Sequence, residues 1–261
     1  MGRSSLLDTF DYVPSDTIYG GLEYLRAMGV DHGVRYVSSA YPVLGKRPTL
    51  PVTPRQIEWL RRSKETKKIR FLPVDCWNDL RVDGEKVLKC RDGGYDVAEL
   101  RSWGREVEYF RNRVSRHVQN ADPYKVVGFL PTVDYVIYYL GDEEKVVKAF
   151  KILGEVGVGG ERSVGFGRFV VVDSGPLREL ENVRAGENCE VLVVLGVARP
   201  SRDVEAFGQW EVRHWWCGGC KLLPTTVLLD GGEVRGGPSF NDYTVERCNC
   251  KKRLTPLWVC V

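Results

Sequence analysis

The stretch GEVGVGGERSVGFGRFVVVD, residues 154–173, packs six glycines, Arg162, Arg168 and Phe166 between a helix-like run and a strand-like one. Glycine loses more conformational freedom on folding than any other residue, so so dense a run needs something to offset its cost. An approaching ligand is the first candidate. Upstream, GDEEKVVKAFKILGEVG has an acidic first turn, apolar positions at Val146, Val147, Phe150 and Leu153, and a glycine stop, which predicts a helix. Downstream, GRFVVVD is β-branched and predicts a strand.

Working outward, VDYVIYYL (133–140), EVLVVLGVA (190–198), QWEVRHWW (209–216) and PTTVLLD (224–230) read as strands. Near the N-terminus, SDTIYGGLEYLRAMG (15–29) places Ile18, Leu22, Leu25 and Met28 at helical spacing, with Ser15 or Asp16 as the cap and Gly29 as the stop. VRYVSSAYPVL (34–44) and KIRFLPVDCW read as extended, and residues 79–104 as a hairpin or loop. The order predicts an α+β fold of two ferredoxin-like (RRM-like) modules. Residues 1–125 form the first, with a basic, hairpin-bearing insertion at about 55–104, and residues 126–261 the second, with the glycine-rich loop 157–169 between its helix and strand.

Two nucleotide fingerprints fail on this loop. A P-loop requires Lys followed by Ser or Thr after its glycines, and GVGGERS offers Arg162 there. A Rossmann loop opens a helix, whereas this one closes a helix. What remains are bare amides at Gly157, Gly159, Gly160, Gly165 and Gly167, with Arg162, Ser163 and Arg168 in reach of phosphates and Phe166 able to stack on a base. That combination suits a bent single-stranded nucleic acid. The alternative is a wide turn that lets a strand cross closely over a helix.

Charge sharpens this only locally. Lys and Arg number 38 against 35 Asp and Glu, a net charge of +3. Yet RRSKETKKIR (61–70) opposes six cations with Glu65 alone, and residues 101–116 set Arg101, Arg105, Arg111, Arg113 and Arg116 against Glu106 and Glu108. Each run, taken singly, also fits a solvated face. No apolar run reaches the roughly 18 residues of a membrane span, and Met1 to Leu7 lacks a signal-peptide core, so a cytoplasmic protein without membrane contact is expected.

GVGGERSVGFGRF resembles the glycine-rich loop of the RAMP superfamily, the RNA-binding proteins of CRISPR effector complexes. Three further segments are similar to one branch, the subunit of type III-A (Csm) complexes that holds the 5′ handle of the crRNA: PSDTIYGGL (14–22), SSAYPVLGKRPTLP (38–51) and RNRVSRHVQNADPYKVVGF (111–129). The resemblance implies a non-catalytic RNA-binding subunit whose partners are the crRNA, a large polymerase-type subunit and a repeated backbone subunit. It implies handle contacts along Gly157 to Phe169, an RNA path lined by Arg111, Asn112, Arg113 and Arg116, and phosphate contacts from Ser15 and Thr17, which otherwise are simple capping residues. A thumb-like hairpin is expected between Arg70 and Gly94. The chain departs from the family in having only SSLLDTFDYV before Pro14, and HVQN in place of a Thr-Gly pair.

The rival reading is a metal-independent endoribonuclease that processes precursor crRNA, with His32 as general acid or base. About ninety residues follow the loop, which argues against that family's C-terminal loop position. His117, among arginines, reads as an RNA or solvent contact. A protein-interaction module without RNA is the third possibility. No cofactor is expected for function. Cys217 and Cys220 in WWCGGCKLL, with Cys248 and Cys250 in RCNCKKR, fit a structural zinc site, one or two disulfides, or free thiols. Cys76, Cys90, Cys189 and Cys260 read as ordinary core or surface positions.

Overall fold

The structure is a computed structural model and describes residues 11–61, 64–77, 81–83, 87–90, 93–114, 121–160, 162–176, 185–217, 220–245 and 250–261. Helix α1 (Ser15–Ala27) buries Ile18, Leu22 and Leu25 as its spacing predicts. Its N-cap is Pro14, without a side-chain cap, and Met28 lies beyond the last turn and is exposed. Ser15 and Asp16 are instead buried against the C-terminal part of the chain. Ser15 Oγ accepts from the Val197 N–H, and Asp16 accepts from Arg213 Nη1 (2.8 Å) and Trp215 Nε1 (2.7 Å). Burial pulls the Arg213 pKa down, but Asp16 and Glu211 beside it outweigh that and hold the guanidinium charged.

Strand β1 (Val34–Pro42) is followed by a long excursion. It comprises β2 (Thr49–Pro51), α2 (Pro54–Leu60), β3 (Phe71–Pro73) and the short α3 (Val74–Trp77). Then come β4 (Arg81–Asp83), β5 (Val87–Cys90) and β6 (Gly93–Asp96), and the hairpin of β7 (Gly104–Val114) with β8 (Ala121–Pro131). Thr53 and Gln56 form a reciprocal capping box at the start of α2. A core of Tyr41, Leu50, Leu60, Phe71, Leu72, Trp77, Leu100 and Trp103 fastens the excursion.

The chain then returns as β9 (Tyr135–Gly141), which pairs antiparallel with β1. Helix α4 (Glu143–Val156), capped by Asp142, lies with α1 on this pair; Ile18, Leu22, Leu25, Val37, Val146, Phe150 and Leu153 form one core. The two helices cross so closely that a Cβ on Gly21 would stand 2.7 Å from Leu153 Cδ1. The expected division near residue 125 therefore does not separate two sheets, because β1 before it pairs with β9 after it. The glycine loop closes α4, in the same packed unit as α1.

The remaining strands are β10 (Val191–Val194), β11 (Glu205–Phe207), β12 (Trp210–Arg213), β13 (Trp216–Cys217), β14 (Cys220–Lys221), β15 (Thr225–Leu228), β16 (Glu233–Arg235), β17 (Tyr243–Val245), β18 (Cys250–Lys252) and β19 (Trp258–Cys260). One sheet has the order β11-β16-β10-β19, and β12 pairs with β15. Among the described residues of 185–261 there is no helix. This half is mixed with the α-helical unit in an α+β whole, held to β1 by Ser39 N–H to the Leu195 carbonyl and Leu257 N–H to the Val37 carbonyl.

Two expectations change and one is met. Residues 169–173 form no strand: Val170 and Val172 are exposed, while Phe169 and Val171 pack on the α1/α4 core. The β-branched run is extended, but no ladder among the described residues pairs it. The hairpin expected between Arg70 and Gly94 is present as the antiparallel pair of β4 and β5, which β6 extends into a small sheet, and a longer hairpin, β7–β8, follows it. Cys189 and Cys260 are not ordinary positions, since they form a disulfide tying β19 to the chain before β10, and Cys76 is disulfide-bonded as well.

Candidate nucleic-acid interface

The loop after α4 is a built structure. Gly157, at φ +83°, ends the helix, and its N–H donates to the Leu153 carbonyl (2.7 Å). Val158 N–H donates to the Gly167 carbonyl (2.9 Å), closing the loop on itself, and Arg162–Val164 make one 3-10 turn. Phe169 N–H then donates to the Gly154 carbonyl (3.2 Å) as the chain leaves along the helix.

The glycines fall into two groups. At Gly154 a side chain would strike the Phe169 carbonyl, and at Gly167, φ +71°, the Val158 carbonyl. Here the crossing turn explains glycine by itself. Gly159, Gly160 and Gly165 have nothing within 4 Å of a would-be Cβ. Gly159 and Gly165 have positive φ, but Gly160 does not. Neither packing nor backbone strain asks for glycine at 160, and open space over a bare amide is what an approaching ligand requires.

Side chains extend the loop in two directions. Phe166, half-buried, stacks on Tyr109 of β7 with ring centroids 5.1 Å apart and planes 18° from parallel. It reaches β7 because residue 128, opposite Val107 on β8, is glycine; a Cβ there would lie 3.0 Å from the Phe166 ring. Arg111 lies over the other part of this stack, its guanidinium 5.5 Å from the Tyr109 centroid. Tyr124 sits across from Arg111 and is exposed. In an antiparallel hairpin, Val107, Tyr109 and Arg111 share a face with Gly128, Val126 and Tyr124. Phe166, Tyr109, Arg111 and Tyr124 therefore make a row of flat groups running from the glycine loop along the hairpin. On the loop's other side, the Arg162 guanidinium stands 5.3 Å from the ring of Tyr24 on α1. Ser163 and Arg168 are exposed, and neither Arg162 nor Arg168 has an ion pair among the described residues.

The structure thus brings together the loop and Arg111 of the expected set. Asn112 is exposed on the opposite face of the hairpin, and Arg113 continues β7 opposite Asp122. Arg116 lies outside the described residues, as does His117. Ser15 and Thr17 lie at the far end of α1 from Tyr24. Ser15 is 1% exposed with its Oγ occupied, the Thr17 N–H is taken by the Pro14 carbonyl, and the two sit about 13 Å and about 10 Å along α1 from Tyr24. Tyr24, Tyr109 and Tyr124 were not anticipated, although the alternation Val-x-Tyr-x-Arg in GREVEYFRNRV carries the signal for the face holding Tyr109.

His32 is 4% exposed, and its Nδ1 accepts from the Val34 N–H. Burial lowers its pKa, with Glu23, 3.8 Å from Nε2, opposing that shift. This is a buried imidazole holding the turn into β1. Cys217 of β13 faces Cys220 of β14 in register, Cys250 lies on β18, and Cys248 lies outside the described residues. Cys220 is disulfide-bonded. A disulfide sulfur has no thiolate charge to give a zinc ion, so the zinc and oxidised forms of this corner exclude each other at Cys220.

No protein-family model matches the chain, and no curated protein does. Solved structures do. A chain of the Csm3–Csm4 subcomplex in the type III-A CRISPR-Cas interference complex superimposes with a TM-score of 0.62 at 15% identity, over 96% of this chain and 94% of that one. A chain of the Csm1–Csm4 cassette in complex with AMPPNP gives 0.51 at 16% identity, over 96% and 95%. The chain has the fold of these proteins along nearly its whole length, so the resemblance first carried by the glycine loop extends to the architecture.

Proposed function

We propose that the chain is a non-catalytic RNA-binding subunit of a type III-A CRISPR interference complex that grips the 5′ handle of the crRNA. The observation that carries this reading is the continuity of the glycine loop with the Phe166–Tyr109–Arg111 stack. Open amides and Arg162, Ser163 and Arg168 serve phosphates on one side, and flat faces serve unstacked bases on the other. His32, the base that the rival endoribonuclease reading requires, is buried with its Nδ1 accepting from the Val34 N–H. The large polymerase-type subunit and the repeated backbone subunit are the proposed protein partners, in line with the shared fold.

Filter binding of a labelled handle RNA across salt concentrations tests the reading. Affinity should fall steeply with salt, because phosphate neutralisation releases counterions. Arg162→Ala should weaken binding by roughly 10- to 100-fold, in line with the about 1.5–3 kcal/mol of a charge-assisted hydrogen bond. Precursor RNA incubated with the protein should remain intact. Salt-independent binding, or cleavage lost on His32→Ala, would refute the proposal.

A further inference from the structure

Away from the loop, a cleft of about 490 Å³ opens between residues 51–71 of the excursion and the turns at 208–211 and 229–232. Its width is fixed by backbone: Gly231, at φ +82°, packs so closely on the Val52 carbonyl that no side chain fits. At the floor, the Asp230 carboxylate accepts from Tyr41 Oη (2.7 Å) and Tyr12 Oη (3.0 Å), which locks its plane. Glu211 lines the same cleft, one oxygen accepting from Arg213 Nε (3.0 Å). Each carboxylate keeps lone pairs to spare. Trp210, 46% exposed, forms one side. At the rim stand Arg61, Lys67 and Arg70. Arg70 is held by Asp11 and lies over the Tyr12 and Phe71 rings, whereas Arg61 and Lys67 have no ion pair among the described residues.

One cleft thus gathers carboxylate acceptors, a half-exposed indole and cations without an ion pair among the described residues, the three kinds of group that recognise a base edge, a base face and a phosphate. We propose that this cleft binds a guanine nucleotide, free or as one unit of an RNA strand. The volume lies within the range of small-ligand sites, about 300–1,000 Å³. A base stacks on Trp210, the phosphate meets Arg61 and Lys67, and the floor carboxylates accept from the base edge. Guanine fits best because its N1–H and N2–H are two adjacent donors, while the matching edge of adenine puts an acceptor against the carboxylate. The site shares no residue with the glycine loop, so it stands or falls separately from the proposed function.

The test uses the full-length protein, with GMP and AMP in titration calorimetry and short RNAs ending in G or A in filter binding. GMP should bind at least tenfold more tightly than AMP, and Trp210→Ala should weaken GMP about tenfold or more, within the range of one stacked base. Lys67→Glu should do the same, and Arg162→Ala should leave GMP binding unchanged. If GMP is silent but Trp210→Ala weakens the G-ended RNA and spares the A-ended one, the occupant is an RNA unit. If GMP and the G-ended RNA are each indifferent to Trp210→Ala and Lys67→Glu in proteins of unchanged circular dichroism, the cleft is not a nucleotide site and the proposal is overturned.

Discussion

Gly160→Ala separates a glycine kept for the fold from one kept for a ligand. Gly160 has no positive φ and nothing within 4 Å of its would-be Cβ, so the new methyl meets no atom of the folded chain. Alanine also restricts the unfolded chain, which should stabilise the protein by about 0.4–1 kcal/mol. For a chain of this size that raises the melting temperature by about 1–4 °C. Gly167→Ala is the contrast, since its methyl collides with the Val158 carbonyl at a φ of +71°. Strain of this kind costs about 1–3 kcal/mol, a fall of several degrees. If an RNA backbone passes over the bare amide at 160, the methyl holds it off and removes about one hydrogen bond. Affinity for handle RNA should then drop about tenfold, equivalent to about 1.4 kcal/mol. Thermal melts and filter binding on the same preparations read both quantities. A Gly160→Ala protein that melts no lower than wild type and binds RNA equally well would refute ligand approach at the loop.

Three further outcomes follow from other contacts. Tyr109→Ala removes the platform under Phe166 and Arg111 and should weaken handle binding about five- to tenfold, near the lower end of the range for lost base stacking, whereas Tyr109→Phe should bind as wild type in the same filter assay. The Cys189–Cys260 disulfide closes a loop with a sequence separation of 71. In the loop-entropy limit Cys260→Ser should cost about 4 kcal/mol, a fall of roughly 10 °C in calorimetry, and excess reductant should lower the wild type at least as far, because it also reduces the disulfides at Cys76 and Cys220. His32 gives a pH dependence. Burial holds its pKa below the ordinary 6.5, with Glu23 and Asp31 opposing the shift and Arg26 and Arg253 reinforcing it. The unfolded chain then binds the proton more readily than the folded one, so this contribution is intact above about pH 6.5 and is lost as pH falls toward the folded value. Melting temperatures from pH 7.5 to 5 should decline less steeply in His32→Gln than in wild type.

The sequence disclosed what is local. Helix α1 and helix α4 announce themselves through apolar spacing, and the acidic first turn and Asp142 cap of α4 are visible in GDEEK. Pairings between distant residues were not legible. β1 and β9 are neighbours across an excursion running from Val43 to Asp134, and a reader who moves along the chain assigns them to different modules. The same distance hid the fate of Ser15. Its position at a helix start suits a phosphate contact, but its Oγ is engaged by Val197, 182 residues away, and no local signal reports that. FVVVD misled for the converse reason, because β propensity predicts an extended chain but cannot supply a partner.

The loop shows why such partial legibility still locates a site. Its glycine count overstated the case for a ligand, since Gly154 and Gly167 are accounted for by the chain crossing itself. Phe166, read from the sequence as a stacking face, is committed to Tyr109. That commitment strengthens the functional reading. A lone phenylalanine on a mobile turn must be ordered when a base arrives, whereas a ring already clamped against Tyr109 with Arg111 above it offers an edge and a neighbouring plane at no ordering cost. The wide-turn reading accounts for part of GVGGERSVGFGRF, and the proposed RNA contact concerns the rest. Gly154 and Gly167 build the crossing, and the crossing carries Gly160, Arg162 and Phe166, the residues on which the proposed RNA contact rests.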